Sequence, residues 1–215
     1  MNIILLAAPA AGKGTQSSLL EKEFSLNHIS TGDLLRSAAS NNDPLGMKLQ
    51  EIMKSGKLVS DDIVLEVFNN YLDNTDNMNL LLDGFPRNIY QAEKLDEILE
   101  SKNSKIDYVF LLNVSKEVLA DRITGRRLCK SCGNVYNVNI ESLKPKVENV
   151  CDNCGNELTW RSDDNYETFE VRYNEYLEQT SPLIDYYRNK NVLFDINGEG
   201  TTEEIFNHIK NIINN

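Results

Sequence analysis

Ala7-Ala8-Pro9-Ala10-Ala11-Gly12-Lys13-Gly14-Thr15 is the stretch that decides the fold. It follows an apolar run at residues 2–6 and precedes a helical pattern carrying Leu19, Leu20 and Phe24. A buried strand, a small-residue loop and a helix N-terminus, in that order, make a cradle for an anion. The first N–H groups of a helix lack partners, and the helix dipole favours negative charge beside them. Lys13 adds a point charge for the outer phosphates of a nucleotide, and Thr15 a hydroxyl for magnesium. Ala10, Ala11, Gly12 and Gly14 supply backbone that can approach the phosphates closely. The plain alternative is a small-residue turn with a solvated lysine; the strand and helix patterns on either side argue against it.

Short apolar runs recur at residues 79–83, 108–114 and 192–196, with helical patterns between them. After Pro86, the residues Ile89, Ala92, Leu95, Ile98 and Leu99 share one helix face. Ser60 stands where it caps the helix bearing Ile63, Val64, Val67 and Phe68. Asp43 before Pro44 reads as an N-cap followed by proline at the first helical position. Thr201 and Glu204 have capping-box spacing ahead of Ile205, Ile209 and Ile212. Strands alternating with helices predict a parallel sheet covered on both faces.

Residues 128–159 break the alternation. They are turn-rich, poor in apolar side chains, and hold two cysteine pairs, Cys129-Lys-Ser-Cys132 and Cys151-Asp-Asn-Cys154. That spacing suits a four-cysteine zinc site, and four thiolates leave no open position, so the ion would be structural. Two disulfides, or four buried thiols, are the competing readings.

The 215 residues carry 22 Lys and Arg against 33 Asp and Glu, a net charge of -11. This opposes broad binding to nucleic acid or to an anionic membrane. No apolar run reaches the roughly 18 residues a membrane span needs. The N-terminal run lacks the basic region of a secretory signal, so the cytoplasm is the expected location.

Four further motifs join the loop: Ser30-Thr31-Gly32-Asp33-Leu34-Leu35-Arg36; Asp83-Gly84-Phe85-Pro86-Arg87 with Gln91; Asp121-Arg122-Ile123-Thr124-Gly125-Arg126-Arg127; and Arg161-Ser162-Asp163-Asp164 with Arg172. In order and interval, over nearly the whole chain, they resemble the adenylate kinases, in particular the bacterial type with a long zinc-containing lid. The resemblance implies an α/β P-loop kinase fold: a central parallel five-stranded sheet flanked by helices, an AMP-binding helical subdomain and a small zinc-containing lid. It implies a core of residues 1–29, 60–124 and 165–215, an AMP-binding subdomain of 30–59 and a lid of 125–164. The implied reaction is the reversible, magnesium-dependent ATP + AMP = 2 ADP, carried out by a monomer with no nucleic-acid or membrane partner.

The resemblance also implies roles. Lys13, Arg122, Arg126, Arg161 and Arg172 would surround the transferred phosphoryl, and Arg36 and Arg87 would hold the AMP phosphate. Thr31, Lys57, Leu58, Val59, Gly84, Phe85, Pro86 and Gln91 would complete the AMP site, together with Arg161 and Arg172. Val135, Tyr136 and Gly200 would meet the ATP base. Asp83 would orient magnesium through water, and Asp163 and Asp164 would fix the lid arginines.

The chemistry of the residues agrees. Arginine binds phosphate in bidentate fashion and stays charged. A phosphate oxygen of AMP is already ionised at neutral pH, so positioning and charge neutralisation suffice without a general base. The carboxamide of Gln91 offers a donor and an acceptor to a base edge. Ala7 and Ala10 stand where the family usually has glycine, which tolerates positive φ. Ala10 is expected to be accommodated, and Ala7 to carry mild strain or crowding. A nucleotide-binding regulator with impaired catalysis, or a UMP/CMP kinase, remains the alternative. A zinc-ribbon nucleic-acid module is opposed by the acidic balance.

Overall fold

A computed structural model describes residues 1–40, 44–55, 59–73 and 79–215, the side chain of Leu45 excepted. The expected cap Asp43 and the expected AMP-site residues Lys57 and Leu58 lie outside the described residues. The first half of the chain runs β1 (Ile3–Ala7), α1 (Lys13–Phe24), β2 (Asn27–Ser30), α2 (Thr31–Ala39), α3 (Pro44–Ser55), α4 (Asp61–Asp73), β3 (Leu80–Asp83), α5 (Ile89–Ser101), β4 (Tyr108–Asn113) and α6 (Lys116–Gly125). Then come β5 (Arg126–Cys129), β6 (Val135–Asn137), β7 (Leu158–Thr159), α7 (Tyr166–Glu175), α8 (Pro182–Asn189), β8 (Leu193–Asn197) and α9 (Thr202–Asn214).

Five strands form one parallel sheet in the order β2-β3-β1-β4-β8. Side chains alternate across a strand, so each strand feeds two cores. Ile4, Leu6, Leu80, Leu82, Val109 and Leu111 face one way, against Phe68, Leu95, Leu99, Leu183 and Tyr187 from α4, α5 and α8. Ile3, Leu5, Leu81, Phe110 and Leu112 face the other, against Leu20, Leu119, Ile123, Phe169, Ile205 and Ile209 from α1, α6, α7 and α9. Burial of each such side chain contributes about 1.5–3 kcal/mol. The fold is the P-loop kinase fold that the motif order implies.

Helix α4 begins at Asp61, directly after Ser60. Thr201 and Glu204 form the expected capping box at the start of α9. Strand β2 is an addition to the sequence reading. Asn27-His28-Ile29-Ser30 has a single apolar residue, Ile29, and shows no strand periodicity by itself. It is a strand because β3 offers it a partner, with His28 opposite Leu81 and Ser30 opposite Asp83.

The insertion after α6 is a separate antiparallel sheet, β6-β5-β7. Its core is only Cys129, Tyr136, Cys151 and Leu158. Two large side chains cannot offset ordering costs of about 1–2 kcal/mol for every residue of this segment. A staple other than apolar burial has to hold it. No helix among the described residues is long and apolar enough to cross a membrane.

Candidate active site

The phosphate loop leaves the carboxyl end of β1, where parallel α/β sheets place their ligands. Gly12 is the N-cap of α1 at φ 96°. Ala10 has φ 67°, in the left-handed region. Ala7 is the last residue of β1, 7% exposed and in register with Leu112 of β4. The expectation about the two alanines is therefore reversed. Ala7 sits in ordinary extended backbone, and Ala10 is the position whose Cβ opposes the conformation. The loop has to turn back toward α1 between Pro9 and Lys13, and the turn falls on Ala10 and Gly12.

The Nζ of Lys13 donates to the carbonyls of Ala7, at 2.9 Å, and Ala8, at 3.3 Å. Burial lowers its pKa to about 8; Asp83 opposes the shift, and Arg87, Arg172 and Arg126 add to it. The loop thus holds an under-neutralised ammonium over a helix N-terminus, which is a demand for an anion.

A cleft of about 890 Å³ opens over the loop. Lys13, Arg36, Arg87, Arg122, Arg126, Arg161 and Arg172 all line it. So do Ala10, Ala11, Gly12, Gly14 and Thr15 of the loop, Asp83 at the end of β3, Val135 and Tyr136 of β6, and Gly200. A smaller cavity of about 60 Å³ adjoins it, lined by Thr31, Val59, Gly84 and Gln91 among others. Arg36, Arg87 and Arg172 line both.

The seven cations divide into two groups. Arg126 is held by Asp164, Arg172 by Asp163 at 2.9 Å, and Arg36 and Arg161 share Asp33 at 2.5 and 3.6 Å. Lys13, Arg87 and Arg122 rest on backbone carbonyls instead, with Arg87 Nε donating to Gly84 at 2.8 Å and Arg122 Nη1 to Ala11 at 3.4 Å. Burial lowers the pKa of Arg87 and Arg122, and takes Arg161 and Arg172 down to about 10 with help from neighbouring cations. Guanidinium groups stay protonated. The shifts record charged groups withdrawn from water, whose charge several phosphates would neutralise.

Gly84 has φ 79°, and a Cβ there would meet Thr31 Oγ1 at 3.2 Å and an Arg87 guanidinium nitrogen at 3.3 Å. Glycine lets Thr31 donate to the Gly84 carbonyl at 2.9 Å and keeps Arg87 against the same turn. Phe85 turns into the core, its ring 4.5 Å from that of Phe68, and Pro86 is buried; neither of these expected AMP-site residues lines the two cavities.

In the lid, the four cysteine ligand atoms lie within 4.8 Å of one another, with Cys129 and Cys154 Sγ at 3.4 Å and Cys132 and Cys151 Sγ at 3.5 Å. A disulfide needs about 2.05 Å; a tetrahedron of ~2.3 Å zinc–sulfur bonds places sulfurs about 3.8 Å apart. The donor set fits a tetrahedral metal ion, and all four cysteines are free thiols. The two knuckles are built alike. Gly133 and Gly155, both at positive φ, donate to the carbonyls of Cys129 and Cys151 at 2.9 and 2.8 Å. Cys129 and Cys151 N–H each donate at 2.9 Å to Asn134 and Asn156.

The adenylate kinase family model matches residues 5–192. The chain belongs to the adenylate kinase family. An adenylate kinase of Clostridium tetani is 47% identical over 99% of this chain and 98% of its own length. Those of Caldanaerobacter subterraneus subsp. tengcongensis and Hydrogenobaculum sp. are 45% and 43% identical, over 98% and 99% of this chain and 95% and 100% of their own lengths. Membership of this family makes the chain a nucleoside monophosphate kinase, a phosphotransferase.

The structure gives partners to residues of the adenylate kinase motifs and adds Gln16, Asp61 and Asn88 to them. Asp33 joins Arg36 to Arg161 across the cleft. Gln16 lines the cleft from α1, its Nε2 donating to the Thr202 carbonyl at 3.0 Å. Tyr136 lines the cleft, and its hydroxyl accepts from the Asp152 N–H at 2.8 Å and lies 3.5 Å from Cys151 Sγ. Asp61 and Asn88 brace Gln91, whose Nε2 donates to Asp61 at 2.7 Å and whose Oε1 accepts from the Arg87 N–H at 2.7 Å. Motif spacing carries no signal for Asp61, because α4 and α5 meet only in the folded chain.

Proposed function

We propose that this chain catalyses ATP + AMP = 2 ADP, with ATP on the phosphate loop under the lid and AMP in the smaller cavity. The observation that carries this is the convergence of seven cations on two adjoining cavities, three of the arginines shared between them. One phosphate-binding site would not need a shared wall of arginines; a phosphoryl group passing between two sites would.

In this reading Lys13 and the loop N–H groups hold the outer phosphates of ATP. Arg36 and Arg87 hold the AMP phosphate. An oxygen of that phosphate attacks the γ-phosphorus as the bond to the β-bridging oxygen breaks, and ADP leaves with the electron pair. Arg122, Arg126, Arg161 and Arg172 neutralise the equatorial oxygens, so that charge is stabilised without moving a proton. Asp83, through water, and Thr15 would hold magnesium, which would supply charge neutralisation and alignment of the ATP phosphates. Val135, Tyr136 and Gly200 border the ATP base; Thr31, Val59 and Gln91 border the AMP base, with Lys57 and Leu58 assigned by resemblance. The same reading divides the chain into a core of 1–29, 60–124 and 165–215, an AMP-binding part of 30–59 and a lid of 125–164. The lid metal is zinc, held by Cys129, Cys132, Cys151 and Cys154. The active species is a cytoplasmic monomer.

The test is ADP formation from MgATP with each monophosphate. AMP is expected to be preferred over CMP, UMP and GMP. Equal or faster turnover of UMP or CMP overturns the assignment of the base, and no turnover of any monophosphate overturns the reaction in favour of a regulator.

A further inference from the structure

We infer that Asp61 is a specificity-determining positioning residue, which fixes the Gln91 carboxamide in the one orientation that reads adenine. The inference rests on the proposal that AMP occupies the smaller cavity.

Gln91 is 2% exposed and lines that cavity. A carboxamide has two N–H groups and two oxygen lone pairs, and one of each is taken. Oε1 accepts from the Arg87 backbone N–H at 2.7 Å, and Nε2 donates to Asp61 Oδ1 at 2.7 Å. A backbone N–H only donates and a carboxylate only accepts, so these two contacts define which end of Gln91 is oxygen and which is nitrogen. Turning the amide over would set N–H against N–H and oxygen against carboxylate. The same Asp61 Oδ1 also accepts from Asn88 Nδ2 at 2.9 Å, and Asn88 Oδ1 accepts from the Gln91 N–H at 2.8 Å. Asp61 is therefore itself held, by the residue that caps α5.

One N–H and one lone pair of Gln91 remain for a ligand. With the orientation fixed, they match a base edge that presents a donor and an acceptor in one order only. Adenine presents its amino group and N1; a 6-oxopurine presents the reverse, an acceptor and an N1–H. A free carboxamide would serve both by flipping. The Arg87 N–H and Asp61 together remove that freedom, and Asp61, through a charge-assisted bond, is the one of the two that a side-chain substitution can take away.

The experiment compares kcat/KM for AMP and for IMP in the parent enzyme and in Asp61→Ala, Asp61→Ser and Asp61→Asn. IMP is the probe because it differs from AMP only at the 6-position and N1. Alanine and serine cannot reach Gln91; serine suits the first turn of a helix and serves if the alanine variant does not fold. Both are expected to lower the AMP-to-IMP ratio roughly tenfold, the worth of one charge-assisted hydrogen bond. The change should fall on the two KM values more than on kcat. Asparagine keeps an oxygen that can accept both bonds and should restore most of the ratio. An unchanged ratio in the alanine and serine variants of a parent that prefers AMP overturns the role of Asp61 alone. So does an asparagine variant as unselective as alanine. A parent with no preference for AMP overturns the underlying assignment of the cavity as well.

Discussion

Asp164 holds Arg126 through both carboxylate oxygens: Nε donates to Oδ2 at 2.8 Å, and Nη2 donates to Oδ1. The Asp164 side chain is 1% exposed and that of Arg126 18%. Arg126 opens β5 and Asp164 follows β7, so this pair ties both ends of the lid at its base while aiming a guanidinium into the cleft.

Removing one partner of a buried pair strands the other charge. Asp164→Ala is expected to lower stability by about 3 kcal/mol, the low end for such pairs because Arg126 keeps some solvent. It should also lower kcat at least about tenfold, since Arg126 loses the partner that orients it. Urea unfolding and steady-state kinetics of the variant test this. Parent-like kcat would show that Arg126 needs no such support.

The two loop alanines predict opposite signs. Ala10→Gly relieves about 1–2 kcal/mol of left-handed strain and gives back about 0.4–1 kcal/mol through the freer unfolded chain. A net gain of between about 0 and about 1.6 kcal/mol is expected. Ala7→Gly removes a buried methyl from a strand and is expected to cost about 1–2 kcal/mol. Thermal unfolding of both variants decides it, and a more stable Ala7→Gly would contradict the positions found for these residues.

Lys13 makes nucleotide binding pH-dependent. Its pKa in the folded, ligand-free protein is lowered from 10.5 to about 8 by burial. The cost of keeping it charged is therefore full below pH 8 and fades as pH rises from 8 to 10.5. Bound phosphates restore the charge. At pH 8, ATP binding should take up about half a proton, and at pH 7 about a tenth. Calorimetric titration in buffers of different ionisation enthalpy measures the uptake. Lys13→Gln should abolish the difference between the two pH values; an uptake unaltered in that variant would assign the proton elsewhere.

Zinc should account for the stability of the lid. Elemental analysis of the native protein is expected to give one zinc per chain. Chelation, or Cys151→Ser, should lower the melting temperature, because metal binding and lid folding are one equilibrium. Metal-free protein with an unchanged melting temperature would refute this. Tyr136→Phe should speed zinc loss about tenfold or more. The Tyr136 hydroxyl already accepts from Asp152, so its own hydrogen is free to donate to Cys151 Sγ.

Local order was legible wherever one short pattern decides it. The runs that became β1, β3 and β4 are apolar because both faces of those strands are covered, and a run of that kind shows in sequence whatever it packs against. The box of Thr201 and Glu204 spans a single turn. The cysteine pairs specify a metal knuckle because two ligands and their turn are contiguous. The seven cations of the cleft were legible one by one, since each stands in a motif next to a loop or helix end.

What the sequence did not contain was set by long-range closure. Asn27-His28-Ile29-Ser30 has too little apolar pattern to announce a strand and becomes one only beside β3. Ala7 and Ala10 both flank or sit in the phosphate loop, but which of them takes positive φ depends on where the chain turns between β1 and α1, and it turned at Ala10. Tyr136 could be assigned to the cleft, whereas its hydroxyl reached the cysteine cluster through the pairing of β5 with β6. Asp61 meets Gln91 across 30 residues of chain. Residue chemistry and short spacing are properties of the sequence by itself; the orientation of an amide, the sign of a dihedral angle and the partner of a carboxylate are decided by neighbours that only the folded chain brings within hydrogen-bonding distance.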